Sequence, residues 1–323
     1  MVLRSSLIKF KNEVGLREHS ITITRRIVQI VAFFMINYVI LEVLFSINFI
    51  AIEGVFKVLP FLHSPRNPLS EGAGFLEYIF FSLAEGVFPF FLVGILILII
   101  LLTNRFFCGW ICPIGTIQDG CAAIGKKRRR TLKKGTHEKL LKIKFLPLFL
   151  LGFLMVTLAL TKLFDPYVYE SYKNGIFGTA IPQPLQFFSL SEFLFYSLPN
   201  AIKTSWETGS ILPFFTNFLL LLVYLFYFIV LIGSIWYPRL YCKYFCPFGA
   251  AATLINKYTL LKLSRSPVKC VGKAECGKCE LVCPKQIRIL DEPFEFFTGK
   301  GECNYCLMCK EACPYDAINI KFG

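Results

Sequence analysis

The sequence predicts an all-α polytopic membrane bundle, four transmembrane helices in two helix-pair repeats, followed by a small C-terminal α+β domain. Three observations predict it. Apolar residues make up 55% of the 323 residues and charged ones 17%, with 35 phenylalanines, a balance far from that of soluble domains. A pattern that begins at Arg105 and ends at Gly115 recurs from Arg239 to Gly249. Eight of the 13 cysteines fall between Cys270 and Cys313, in two similar strings that each end in Cys-Pro.

The elements follow in order. Residues 1–26 read as a polar tail with six Lys/Arg. Four stretches approach the length of about 20 apolar residues that a helix needs to cross a bilayer: Ile27–Ile50, Glu85–Leu102, Ile143–Leu163 and Ile211–Trp236. Leu185–Leu198 is shorter and bracketed by Pro184 and Pro199, so it reads as an interfacial or re-entrant helix. The first repeat is then 27–115 and the second 143–249, with a basic loop at 116–142, a linker at 250–262 and the cysteine-rich domain at 263–323.

Charge orients this bundle. Asn104–Lys144 carries 11 Lys/Arg against two acids, whereas Ala51–Glu77 and Phe164–Ser210 carry two basic residues each, against three and four acids. The bias of Lys/Arg to the cytoplasmic side puts the basic loop, both termini and the cysteine-rich domain in the cytoplasm of a prokaryote, and the other two loops outside. The net charge of +14 is then mostly topology, with attraction to anionic membrane lipids as a second role, and no basic-aromatic interleaving points to nucleic acid. In a reducing compartment the cysteines serve as ligands and redox groups instead of disulfides.

The second tail string, Cys303, Cys306, Cys309 and Cys313-Pro314, has the C-x2-C-x2-C-x3-C-P spacing of cubane iron–sulfur binding. Three cysteines of such a string wrap one cluster and the fourth ligates its partner. Two [4Fe–4S] clusters are therefore expected, one on Cys270, Cys276, Cys279 and Cys313, the other on Cys303, Cys306, Cys309 and Cys283. That makes the tail a double-cluster, ferredoxin-like domain. The first string departs at one place, with five residues between Cys270 and Cys276 where the second has two. Structural zinc would use paired C-x2-C knuckles and would not require the Cys-Pro endings.

The recurring stretch is Arg-x-aromatic-Cys-x3-Cys-Pro-x-Gly. It places Cys108 and Cys112 after the second span and Cys242 and Cys246 after the fourth. Inverted or parallel repeats commonly meet at a functional seam, so the four cysteines could converge there. Three readings stay open: an additional metal or third cluster, a dithiol redox pair, or tight turns with small buried thiols. Cys121 has no counterpart in the second repeat and reads as structural.

Paired C-x3-C-P turns followed by a double-cluster tail resemble the NapH/MauN-type membrane ferredoxins of periplasmic nitrate reductase and methylamine dehydrogenase systems, and the membrane cores of NosR-type proteins. The resemblance runs from about Arg25 to Lys321. It implies a subunit that passes electrons between the quinone pool and a partner redox protein, using the eight tail cysteines and Cys108, Cys112, Cys242 and Cys246. It thereby raises a quinol dehydrogenase role. The alternative is an accessory or maturation factor that reduces a metal, cofactor or thiol on a client enzyme.

Quinol oxidation needs proton acceptors, and ionisable groups within spans are costly enough to mark function. Glu42 and Glu85 are the candidate acids, with a satisfied inter-helix hydrogen bond as the competing role for each. Lys162 reads as a helix-end anchor that snorkels outward. None of the three histidines, His19, His63 and His137, falls in a predicted span, which argues against haem held within the bundle. No glycine-rich dinucleotide loop is present.

Overall fold

The computed structural model describes residues 20–37, 75–125, 130–175, 188–209 and 218–323. Helix α1 (Ser20–Ile36) is followed by α2 (Phe75–Ala84) and α3 (Phe90–Thr103). Two short helices then form the first cysteine turn, α4 (Phe106–Trp110) and α5 (Pro113–Ile124). Next come α6 (Lys134–Ile143), α7 (Phe145–Phe164), α8 (Pro166–Asn174), α9 (Leu190–Glu192), a π-helical segment (Phe193–Ser197) and α10 (Leu198–Thr208). The second half repeats the pattern with α11 (Phe218–Trp236), α12 (Leu240–Tyr244) and α13 (Pro247–Asn256).

Local chemistry sets these boundaries. Helix α3 carries no charge, starts behind Pro89 and stops at Asn104, whose φ of 60° breaks the helix. Asn104 Oδ1 accepts from the Arg105 amide at 2.6 Å, and its Nδ2 donates to the Leu261 carbonyl at 2.9 Å. Helices α5 and α13 both begin with proline at the first position, where the missing N–H costs nothing and φ is already helical. Asp165 caps α8 by accepting from the amides of Tyr167 and Val168.

Among the described residues, one helix is long and apolar enough to cross a membrane, the 31-residue run Lys134–Phe164 that joins α6 and α7. Phe90–Thr103 and Leu221–Trp236 are shorter apolar helices. The predicted span Glu85–Leu102 is shortened at its start, because Glu85–Pro89 forms a turn between α2 and α3. Much of the predicted span Ile27–Ile50, and Glu42 with it, lies outside the described residues. Within residues 188–198, Leu190, Phe193 and Phe195 pack into the main core. That core also holds Leu96, Ile100, Leu151, Met155, Leu158, Tyr227 and Val230. Its outer surface is apolar too, with Phe90, Phe91, Phe149 and Phe164 each more than three-quarters exposed. Large apolar side chains exposed in this number point to contact with a membrane or a partner.

The tail is α+β. Strand β1 (Leu261–Arg265) pairs antiparallel with β2 (Ile318–Phe322), Leu261 opposite Phe322 and Arg265 opposite Ile318. Between them lie the single turns α14 (Gly272–Glu275), α15 (Lys278–Val282) and α16 (Met308–Glu311). Residues 250–262 are no linker: they are most of α13 and the start of β1. Much of the predicted basic loop 116–142 is likewise helical, in α5 and α6. The tail docks on the bundle through Leu260, whose amide donates to the Leu101 carbonyl at 2.8 Å, and through the Thr22 amide, which donates to Glu311 Oε1 at 2.8 Å.

Candidate metal centres

Three cavities are each lined by four cysteines. The first is formed by Cys270, Cys276, Cys279 and Cys313, with a volume of about 350 Å³. The second is formed by Cys283, Cys303, Cys306 and Cys309, at about 300 Å³. In each, three cysteines come from one string and the fourth from the other. The extra residues between Cys270 and Cys276 form α14, a loop that still delivers Cys270 to its cavity.

The two tail sites share their supporting bonds. Cys283 Sγ accepts from the Ile287 amide at 3.4 Å, and Cys313 Sγ from the Ala317 amide at 3.3 Å. These are the same offset after each Cys-Pro, so both cross-over thiols receive a backbone dipole. Such bonds stabilise thiolate and tune the potential of a bound cluster. Burial pushes the Cys279 thiol up to about 11 and the Cys303 thiol up to about 12. The free thiols are thus held protonated, and metal binding must displace those protons.

The third cavity, about 520 Å³, lies between the repeats. Cys108, Cys112, Cys242 and Cys246 line it, with Arg105, Arg239, Lys285 and Tyr241. Cys112 and Cys246 are the N-caps of α5 and α13, and Cys246 Sγ accepts from the Gly249 amide at 3.2 Å. Gln118 Nε2 donates to Cys242 Sγ at 3.0 Å across the seam. Burial raises the Cys242 thiol to about 11 and pushes Cys112 higher still.

The motif arginines are exchanged between the repeats. Arg239 of the second repeat donates to Asp119 of the first through Nε (2.8 Å) and Nη2 (2.7 Å), and to the Cys108 carbonyl (2.9 Å). Arg105 of the first repeat donates to Thr253 Oγ1 of the second at 3.1 Å and pairs with Glu302 of the tail at 3.4 Å. Thr253 holds the place in the second repeat that Asp119 holds in the first, so each arginine reaches the equivalent position of the other half. The motif glycines make room. A Cβ on Gly249 would stand 3.1 Å from Arg105 Nη2, and one on Gly115 would stand 2.9 Å from the Cys108 carbonyl oxygen. Burial opposes ionisation of Asp119, yet Arg239 and Arg25 outweigh it and hold the carboxyl well below the usual range.

Sequence reasoning missed the buried charges around this seam. Arg25 and Lys144 are buried beside Asp119 and Glu302, in contact with them. Lys285, two residues after Cys283, donates to the Cys242 carbonyl at 2.7 Å. A Lys or Arg beside a motif was the available signal, but partners up to 197 residues away gave no local pattern. Glu192, also passed over, is buried at the end of α9 directly before the π-helical segment, within electrostatic range of Tyr227. The Tyr227 ring lies 6.1 Å from that of Tyr241, which lines the seam cavity.

Glu85 sits at the far end of the bundle in the turn before α3. Its carboxylate pairs with Lys162 at 2.5 Å and Lys173 at 3.2 Å, and accepts from the Tyr169 hydroxyl at 3.0 Å. This is the inter-helix tie that competed with a proton-acceptor role. Lys162 does not snorkel outward; it turns to Glu85 and also donates to its carbonyl. Cys121 lines none of the three cavities.

The donor sets fit iron–sulfur clusters. Among the described residues no three His, Cys, Asp or Glu side chains gather closely enough for one metal ion. A cubane instead gives each of four thiolates its own iron and needs a wider frame, which four cysteines around a cavity supply.

Comparison with known proteins agrees. Residues 85–131 and 219–266, which contain the two C-x3-C-P turns, match a 4Fe-4S binding domain family. The chain is 27% identical over 72% of its length to an uncharacterized protein of Methanocaldococcus jannaschii, covering 79% of that protein. It is also 27% identical over 72% of its length to the putative electron transport protein YccM of Escherichia coli, but spans only 57% of it. The regulatory protein NosR of Pseudomonas aeruginosa is 28% identical over 63% of the chain, which covers 23% of NosR. No solved structure matches. The chain thus carries two matches to a 4Fe-4S binding domain and is similar to YccM, NosR and NirI, of which it spans 57%, 23% and 24%. Over 53 residues it is 32% identical to a ferredoxin of Methanothermococcus thermolithotrophicus, covering 87% of that protein, and through that stretch the chain belongs to the ferredoxins.

Proposed function

We propose that the chain is an integral-membrane electron-transfer subunit that passes electrons between the quinol pool and a partner redox protein, with two [4Fe–4S] clusters in its tail. The observation that carries this reading is the pair of tail cavities, each lined by three cysteines of one string and one of the other. Cys270, Cys276, Cys279 and Cys313 would hold one cluster, and Cys283, Cys303, Cys306 and Cys309 the other. When bound, each cluster supplies a one-electron store. The protein's own contribution is to bury the thiols, direct the Ile287 and Ala317 amides at the cross-over sulfurs, and exclude water.

The membrane half of the reading is supported by the apolar outer surface and by the helix Lys134–Phe164. A multi-pass arrangement in the prokaryotic cytoplasmic membrane, tail inward, follows from the Lys/Arg bias. Menaquinol or ubiquinol analogues supplied to proteoliposomes containing this chain alone should reduce the tail clusters, and dithionite should reduce them whether or not quinol does. Reduction by dithionite only would remove quinol oxidation from this chain and assign it to a partner.

A further inference from the structure

We infer that Arg265 sets the redox order of the tail. Its buried guanidinium makes the site of Cys270, Cys276, Cys279 and Cys313 easier to reduce than the site of Cys283, Cys303, Cys306 and Cys309. Electrons in the tail then come to rest at the Cys270 site and leave from it. This rests on the two-cluster half of the proposed function and not on its quinol half.

Arg265 ends strand β1 and is only 5% exposed. It lines the cavity of the Cys270 site, with Nη1 3.9 Å from Cys270 Sγ. Its other contacts are neutral. Nη2 donates to the carbonyls of Leu290 (3.3 Å) and Glu292 (3.2 Å), and the guanidinium carbon lies 4.1 Å from the centre of the Phe294 ring. Nε has no hydrogen-bond partner among the described residues. A cation buried without a carboxylate calls for a compensating charge. The cavity is built to hold one: four thiolates and their cluster together form an anion.

The cavity of the Cys283 site is made differently. Beside its cysteines it presents Leu263, Ile287, Ile289, Phe297, Asn304 and Leu307, none of them charged. Strand β1 thus gives an apolar side chain, Leu263, to one site and a cation, Arg265, to the other. Reduction adds one negative charge, which a cation beside the sulfurs favours and an apolar wall disfavours. Solvent acts in the same direction, because Cys270, Cys276 and Cys313 are partly exposed whereas Cys283, Cys303, Cys306 and Cys309 are all buried. One electron that reaches the Cys283 site therefore runs downhill to the Cys270 site; no bond changes and no proton moves. A partner redox protein would meet the chain at the exposed thiols.

Potentiometric titration of the anaerobically reconstituted full-length chain, followed by electron paramagnetic resonance, gives the test. The step altered by Cys276→Ser belongs to the Cys270 site, and the step altered by Cys306→Ser to the Cys283 site. In wild type the Cys270 step should lie at the higher potential. The reverse order overturns the inference without any change at Arg265. Arg265→Met should lower the Cys270 step by at least about 59 mV, a tenfold change in the equilibrium constant for one electron, with the Cys283 step and the iron content unchanged. Arg265→Lys keeps the charge and should restore most of that loss. An unmoved Cys270 step in Arg265→Met, or an equal fall in Arg265→Lys, would reduce Arg265 to a packing residue and overturn its role. Should the two-cluster reading fail instead, one or both cysteine variants would leave every step unaltered.

Discussion

The tail sites and the seam site are built from the same ligand but assembled in opposite ways. In the tail, both cavities draw on two short strings, Cys270–Cys283 and Cys303–Cys313, each with a Cys-Pro crossing to the other. At the seam, the pairs Cys108/Cys112 and Cys242/Cys246 come from different halves of the chain, and arginines and carboxylates from three parts of it complete the frame. The tail frame is local and supported by backbone amides. The seam frame is long-range and supported by buried charge. Loss of a supporting group should therefore cost little at the tail and much at the seam.

The largest effect tests that contrast directly. Arg239→Ala leaves Asp119 without the bidentate partner that outweighs its burial, and unpairing one member of a buried ion pair costs about 3 to 5 kcal/mol. Chemical denaturation should show a loss of that order, and a change below about 1 kcal/mol would mean that the seam charges are not structural. The sign with pH follows from Asp119, whose folded pKa is depressed. Its contribution is present above the ordinary carboxylate range and is lost only as pH falls through the lower folded value. Wild-type stability from this group should hold through mildly acidic pH.

Next in size is Cys306→Ser. It should destabilise one tail cluster, with a loss of up to about four irons, because one iron of that cubane loses its thiolate. The second tail cluster should persist, since only Cys283 and Cys313 link the strings. Loss of both tail signals would show that the two sites fold as one unit, and the contrast between local and long-range assembly would weaken.

What could be read in the sequence follows the same division. The grouping of the tail cysteines around two cavities, three from one string and one from the other, was legible because each string places its cysteines within a few residues of each other. The repeat was legible as well, since Arg105 and Arg239 sit at fixed offsets from their cysteines. Their partners were not. Asp119 lies 120 residues from Arg239 and looks like any polar residue in a basic segment. Helix α13 reads as a linker in the sequence because Ala250–Asn256 is far shorter than a span; it is helical through Pro247 at its start and burial beneath the tail. Glu192 escaped notice because its segment was too short to read as a span, and burial, not length, gives it weight.

A smaller effect concerns the join between the two regions. A Cβ on Gly109 would stand 2.3 Å from the Asn304 carbonyl oxygen, so Gly109→Ala must push the first cysteine turn away from the Cys303–Cys309 loop. Overpacking of this kind costs about 1 to 3 kcal/mol. Iron content should stay at the wild-type level while electron exchange between quinol and tail slows, as followed by stopped-flow bleaching of the cluster absorbance. Unchanged rates would mean that electrons do not cross at this contact.

The smallest effect belongs to the outer end of the bundle. Glu85, Lys162 and Lys173 are all partly exposed, and ion pairs in that setting contribute up to about 1 kcal/mol. Glu85→Gln keeps an oxygen that can accept from Lys162, so thermal unfolding should shift by an amount near the lower end of that range. Quinol-driven reduction of the tail should be unaltered, because the carboxylate is occupied by two lysines and Tyr169 and lies at the other end of the bundle from the cysteine cavities. A tenfold slower quinol reaction with unchanged stability would overturn that view. It would make Glu85 the proton acceptor after all and place the quinol site at the outer end of the bundle.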